Sequence, residues 1–113
     1  MSLTQRPTAY NVVRRITNTE FAVPTEKYGK IAQGLKALGH PVRISIVLQL
    51  LRQEDCTGGE ISGRLPVAAS TVSQHLNTLL AADLIKMRID GPRRYYRINP
   101  RALEYLQNWL GKL

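Results

Sequence analysis

Cysteine, acidic side chains and long apolar runs are all scarce in this sequence. Cys56 is the only cysteine among 113 residues, which excludes an intrachain disulfide framework and indicates a reducing compartment. No apolar run approaches the about 18 residues that a transmembrane helix needs, and the N-terminus lacks the apolar core of a secretory signal. We therefore expect a cytoplasmic protein that does not enter a membrane.

Acidic side chains are outnumbered two to one. The chain has 8 Asp and Glu against 16 Lys and Arg, which gives a formal net charge of +8 and a pI near 10.2. A basicity of this size indicates a polyanionic partner, either nucleic acid or an anionic membrane surface. The length fits a single domain, and a core this small would gain burial from a dimer partner.

Groups that perform catalysis or bind metals are also few. The two histidines, His40 and His75, belong to different predicted elements, and neither forms a recognisable nucleophile–base pair with Cys56. A zinc site normally takes at least three protein ligands. The sequence therefore predicts neither an enzyme nor a metal-binding protein, and it indicates no cofactor.

The apolar positions predict helices after a loosely specified N-terminal extension at 1–27. A first helix ends at Gly39 and has an apolar stripe at helical spacing, formed by Ile31, Leu35 and Leu38. Pro41 opens a second helix, "PVRISIVLQLLRQ", whose apolar residues cover most of its circumference. That pattern is typical of a central, buried helix, although the β-branched residues also fit a strand.

A turn, a short helix and a longer helix follow, and then the periodicity changes. "EDCTGGE" (54–60) predicts a turn, "EISGRL" (60–65) a short helix, and 67–84 a helix with one apolar face. "LIKMRIDGPRRYYRIN" (84–99) alternates about a "DGP" turn and predicts a β-hairpin. Pro100 starts the last helix. This mainly α order with a small β-hairpin predicts a winged helix-turn-helix domain over 28–113.

The helix before the hairpin has a second, uncharged side. We call it the recognition face, and it consists of Ser70, Thr71, Ser73, Gln74, His75, Asn77 and Thr78. Short neutral polar groups match the donors and acceptors of base edges in the major groove, whereas Lys and Arg mainly contact phosphates. A solvated face that happens to lack Lys and Glu is the alternative, and this helix alone does not decide between the two.

The charge of the hairpin favours DNA. Residues 84–98 contain five basic side chains and one acidic side chain, a local net charge of +4. An edge hairpin protected against aggregation would account for fewer charges. A neutral helix followed by a basic hairpin suits double-stranded DNA, with the helix in the major groove and the hairpin, or wing, on phosphates or in the minor groove. A winged helix that docks an acidic protein partner is the alternative function.

Three segments together resemble one family of bacterial transcriptional regulators. The segments are "LKALGHPVRISIVLQLL" (35–51), "STVSQHLNTLLAADLI" (70–85) and "DGPRRYYRI" (90–98). They closely resemble regulators of the arsenic-repressor (ArsR/SmtB) type, from about Tyr28 to the C-terminus. The resemblance implies a homodimeric winged helix-turn-helix repressor that binds a palindromic operator.

The resemblance also implies roles for particular positions. It places the DNA-reading residues on the recognition face and the wing contacts at Arg88, Arg93 and Arg94. It implies dimerisation through the first and last helices, at Ile31, Leu35, Leu38, Leu103, Leu106, Trp109 and Leu110. One departure from the family pattern is Ala68, which stands where the family often has a Ser or Thr helix cap.

The signal that such a regulator would sense is not evident from these residues. Many relatives release DNA on binding a metal or an oxidant, but thiolate metal sites need two or more cysteines and this chain has Cys56 alone. The last helix, which supplies the other common metal site, contains no histidine. Cys56 fits either an inert cysteine in a turn or a redox-sensitive thiolate near Arg52 or Arg64, and the inducer stays unknown.

Overall fold

The structure, a computed structural model, describes residues 25–113, which form five helices and three strands. Residues 1–24 of the predicted N-terminal extension (1–27) lie outside the described residues, so the boundary of the extension stays a prediction. The mainly α fold with a winged hairpin is confirmed. In chain order the elements are α1 (Thr25–Leu38), α2 (Pro41–Arg52), β1 (Cys56–Thr57), α3 (Gly58–Gly63), α4 (Ala69–Ala81), β2 (Ile85–Asp90), β3 (Arg93–Ile98) and α5 (Pro100–Leu110).

The hairpin gains a third strand that the sequence did not predict. The sheet order is β1-β3-β2 with antiparallel pairing throughout, and Cys56 of β1 lies opposite Tyr96 of β3. The expected turn at 54–60 therefore contains β1 and the start of α3. Gly58 and Gly59 do not prevent α3 from forming, because Thr57 and Glu60 form a capping box around its start. Glu60 N donates to Thr57 Oγ1 at 3.1 Å, and Thr57 N donates to Glu60 Oε1 at 2.9 Å.

The apolar circumference of the second helix had predicted burial on all sides, but the structure buries only one side. One side of α2 enters the core through Ile46, Val47 and Leu50. The other side is apolar but open to solvent in the protomer, with Ile44, Leu48 and Leu51 exposed by 46%, 51% and 54%. The broad apolar pattern thus combines two surfaces, one that packs within the protomer and one that does not.

The core fixes the rotation of α4. Val72, Leu76 and Leu79 are at most 2% exposed and join the buried side chains of α2, α3 and β2. This confirms the packing side predicted from the periodicity, and it leaves the recognition face on the opposite side of α4.

Both ends of α4 have distinct hydrogen bonding. At the C-terminal end, Asp83 adopts a left-handed φ of 61°, and its carbonyl accepts a bond of 2.8 Å from the Asn99 side chain before α5. At the N-terminal end, Ala68 occupies the cap position with an extended backbone and no side-chain bond to the helix. The first turn of α4 therefore lacks the side-chain acceptor that usually satisfies one of its free N–H groups.

A cap at this position should stabilise the protein. We expect Ala68→Ser to raise the free energy of unfolding by about 1 kcal/mol, because the serine hydroxyl would accept a bond from an N–H of the first turn. Urea denaturation of the full chain measures the change. Ala69→Ser, one residue inside the helix, is the matched control and should give no gain; equal stabilisation by both variants would contradict the capping explanation.

Candidate nucleic-acid interface

Most of the recognition face lies open on the solvent side of α4. Ser70, Ser73, Gln74, Asn77 and Thr78 are exposed. The Thr78 hydroxyl donates to the Gln74 carbonyl at 3.2 Å, so it presents acceptor lone pairs to a partner, and the Gln74 side-chain amide remains a combined donor and acceptor. The exposed part of the face therefore offers neutral hydrogen-bonding groups and no formal charge.

Thr71 and His75 form the more buried part of the recognition face. Both are half-buried, and His75 lies against the junction of α1 and α2. Its Nδ1 is 3.1 Å from Nη1 of Arg43, and its ring centroid is 4.4 Å from that of His40. Burial lowers the pKa of His75, and the neighbouring His40 and Arg43 lower it further. The imidazole is therefore kept in its neutral form.

Sequence reasoning did not include Arg43 or His40 in the candidate site. They are separated from His75 by 32 and 35 positions, so no local spacing connects them. The one signal in the sequence was the position of His40 directly before Pro41, which is typical of a helix N-cap. In the structure His40 is the N-cap of α2, because its Nδ1 accepts from Val42 N at 3.1 Å.

An open groove joins the recognition face to the wing. It has a volume of about 1040 Å³ and lies between α3, α4 and the hairpin. Ser73 lines one wall, and Arg93 and Arg94 line the other. Ser73 of α4 and two arginines of the hairpin therefore border the same open groove, whose lining also includes the carboxylate of Glu60.

The strand register divides the basic side chains of the wing between two faces. Arg94 is opposite Ile89 and Tyr96 is opposite Met87, so these residues share the face that continues from the core. Arg88 is opposite Tyr95 and therefore lies on the other face. Arg88 and Arg94 therefore have the same charge but lie on opposite faces of the hairpin.

Arg88 already has partners within the wing region. Its guanidinium lies 4.0 Å from an Asp55 oxygen and 3.8 Å from an Asp90 oxygen, and it stacks over the Tyr95 ring at 4.4 Å. Within residues 25–113, neither Arg93 nor Arg94 forms an ion pair with a carboxylate. Both of these arginines are exposed, but the pKa of the Glu60 carboxyl, lowered mainly by hydrogen bonds with Thr57, is also lowered by the nearby Arg93.

Cys56 is inside the core and not in a turn. It is 0% exposed, and its thiol donates to the Gln53 carbonyl at 3.2 Å. Arg64 is near the sulfur, with Nη1 at 4.0 Å. An oxidant in solvent would reach this thiol only after the surrounding core opens locally. The structure therefore favours the inert cysteine over the redox-sensitive thiolate.

The predicted dimer residues divide into buried and accessible sets. Ile31 and Leu106 are 2% and 3% exposed within one protomer, because α5 packs closely on α1 near Gly34. These two side chains are therefore not available to a partner, which corrects their assignment to a dimer surface. Leu35, Leu38, Leu103 and Trp109 are half-buried, whereas Leu110 is 44% exposed.

The described residues contain neither a metal-binding cluster nor a membrane-spanning helix. Between residues 25 and 113, no three or more His, Cys, Asp or Glu side chains come together as a metal-binding group. The helices in this same part of the chain are all too short or too polar to cross a membrane.

Comparisons with known proteins agree on one type of regulator. Residues 38–88 match a family described as a helix-turn-helix domain. The transcriptional repressor SdpR of Bacillus subtilis is 35% identical over 66% of this chain and 82% of its own length. The transcriptional repressor SmtB of Mycobacterium tuberculosis is 36% identical over 74% of this chain and 61% of its own length.

A solved structure extends the similarity to the fold. An ArsR-like transcriptional regulator from Rhodococcus sp. RHA1 superposes with a TM-score of 0.69 at 26% identity. The superposition covers 77% of this chain and 81% of that protein. The similarity thus includes the helix-turn-helix and extends well beyond the matched residues 38–88.

Proposed function

Because the chain belongs to the ArsR/SmtB-type family of winged helix-turn-helix transcriptional regulators, we propose that it acts as a homodimeric repressor on a palindromic operator. DNA binding is the activity of the family. The observation that best supports a sequence-specific form of it is the groove that Ser73 of the neutral recognition face shares with Arg93 and Arg94 of the wing. Relatives named as repressors support the direction of regulation. We place this function in the cytoplasm.

The recognition face is proposed to contact base edges. Helix α4 has 13 residues and is about 20 Å long, which suits a recognition helix in the major groove. Gln74 is central on the exposed side, and its amide can pair with the donor and acceptor of adenine. The face contains no arginine, so the frequent arginine–guanine contact is not available from α4. Ser70, Thr71, Ser73, His75, Asn77 and Thr78 would supply the remaining contacts.

The wing is proposed to bind phosphates. Arg93 and Arg94 would make the main contacts, since both are exposed and unpaired with carboxylates among the described residues. Arg88 would contribute less than its charge suggests, because DNA would compete with Asp55, Asp90 and the Tyr95 ring for its guanidinium.

The dimer is proposed to use the accessible side chains of the terminal helices. Leu110 and Trp109 on α5, with Leu35 and Leu38 on α1, would form this surface together with Leu103. Ile31 and Leu106 would support it from inside the protomer by holding α5 on α1. A two-fold dimer places two copies of α4 on successive half-sites, which is the reason for expecting a palindromic operator.

The alternative function, a protein-interaction module for an acidic partner, receives no support from the comparisons. The relatives are named as transcriptional regulators and not as adaptors or enzymes. A protein-docking function would also leave the uncharged character of the recognition face unexplained. Complete absence of DNA binding at low salt, together with a stable acidic protein partner, would favour the alternative.

Selection of bound duplexes from a random DNA pool tests sequence-specific binding and provides the operator. We expect Gln74→Ala to weaken binding to the selected operator more than binding to random DNA, by about 1–3 kcal/mol of discrimination. Arg93→Ala should weaken both alike and reduce the slope of log K against log salt by about one phosphate equivalent. Anisotropy titrations at several salt concentrations measure both effects. Selective loss on the operator for Arg93→Ala would contradict its assignment to phosphate.

Arg94 and Arg88 provide a charge-matched comparison within the wing. We expect Arg94→Ala to reduce affinity for random duplex DNA clearly more than Arg88→Ala does. Both variants lose one positive charge, but DNA would compete with Asp55 and Asp90 for the Arg88 guanidinium. The measurement is the anisotropy Kd at low salt. Equal losses would show that net charge alone determines binding by the wing.

The oligomeric state tests the proposed dimer surface. We expect the wild-type chain to sediment as a dimer and Leu110→Glu to sediment as a monomer, since a buried unpaired carboxylate is costly. Ile89→Glu is the matched control, because Ile89 is 63% exposed on the wing and lies outside the proposed surface. A dimer that persists in Leu110→Glu would place the interface elsewhere.

A further inference from the structure

The Arg43 side chain connects three helices. Its Nε donates to the Ala37 carbonyl and its Nη2 donates to the Lys36 carbonyl at 3.3 Å, both in the last turn of α1. Its remaining nitrogen, Nη1, lies 3.1 Å from Nδ1 of His75 on α4. The Lys36 carbonyl also accepts from Gly39 N at 3.1 Å, whereas carbonyls of a last helical turn otherwise have no partner within the helix. Arg43 therefore satisfies the end of α1 and orients its third nitrogen toward the recognition face.

The chemistry of guanidinium determines the direction of this last hydrogen bond. Arginine has donors but no acceptor and stays protonated in proteins. Nδ1 of His75 must therefore accept, which leaves it without a proton. A neutral imidazole that accepts at Nδ1 has its proton on Nε2, where it is a donor.

The surroundings of His75 favour this neutral form. The charged and titratable side chains facing its ring are Arg43 of α2 and His40, the N-cap residue of α2, and α1 contributes the two carbonyls that Arg43 binds. His40 uses its own Nδ1 to cap α2, and its ring lies at 46° to that of His75. A proton added at Nδ1 of His75 would displace the Arg43 bond and place two cations side by side.

We propose that Arg43 is a positioning residue for operator recognition, which holds His75 as an Nε2–H donor for an acceptor on a base edge. The inference rests on the proposed function and specifies one contact within it. Acceptors in the major groove are purine N7, guanine O6 and thymine O4, whereas the exocyclic amines of adenine and cytosine are donors. His75 held in this way selects the first group and rejects the second.

Imidazole NMR of the full-length wild-type protein tests the tautomer without any substitution. Long-range proton–nitrogen spectra at about pH 7.5 should show Nδ1 of His75 unprotonated and Nε2 protonated. A neutral tautomer with its proton on Nδ1 would overturn the inference, because the Arg43 bond could not then exist as described.

Matched arginine variants test the consequence for DNA. We expect Arg43→Gln to reduce the ratio of operator to random-duplex affinity by about tenfold, the effect of one well-placed hydrogen bond to a base. Arg52→Gln, which removes the same charge from the exposed C-terminal end of α2, should leave the ratio unchanged. In a His75→Ala background, Arg43→Gln should have no further effect on the ratio. Circular dichroism and retained random-duplex binding check that each variant is folded.

The pH profile provides a readout that a purely structural role would not change. The ratio of operator to random-duplex affinity should fall in the wild type as the pH is lowered below the ordinary histidine pKa of about 6.5, because the pKa of His75 is lowered and its protonation breaks the Arg43 bond. It should be flat in His75→Ala.

Two failures are distinguishable. A wild-type protein without operator preference, but with the expected tautomer, would overturn the proposed function. Operator preference that Arg43→Gln leaves intact would overturn this inference alone.

Discussion

The burial of Val72, Leu76 and Leu79 determines how the candidate interface is presented. These three side chains fix α4 by its apolar side against α2, α3 and the sheet. A core of this density permits little rotation of the helix. The recognition face and the contact between His75 and Arg43 therefore have defined positions, and the groove between α4 and the wing follows from the same packing.

The periodicity of the sequence was sufficient for the fold class and for the two sides of α4, because both depend on neighbours three or four positions apart. It could not reveal β1, whose two residues are paired only through contacts with β3, about 40 positions away. The exposed side of α2 was missed for a related reason. Apolar residues on two faces of a helix give the same sequence pattern whether both faces or only one meets the core.

Contacts between residues far apart in sequence also explain why some candidate residues have a different role in the structure from the one predicted. Ile31 and Leu106 matched a terminal-helix stripe, but the sequence does not state that α5 packs onto α1 within the same protomer. The partners of Arg88 depend on strand register and on a loop that brings Asp55 near the wing. The contact between Arg43 and His75 spans 32 positions. Periodicity could predict none of these contacts, because each joins residues of separate elements.

The separation of neutral and charged groups has a physical advantage for selective binding. A charged side chain pays a large desolvation cost at a base edge, whereas a neutral amide or hydroxyl pays less and is penalised mainly when its partner is wrong. Charges at the wing stay near water and phosphates, where they attract DNA of any sequence. In the proposed function, affinity and selectivity are thereby assigned to different elements, and His75 would belong to the selective one only while Arg43 keeps it neutral.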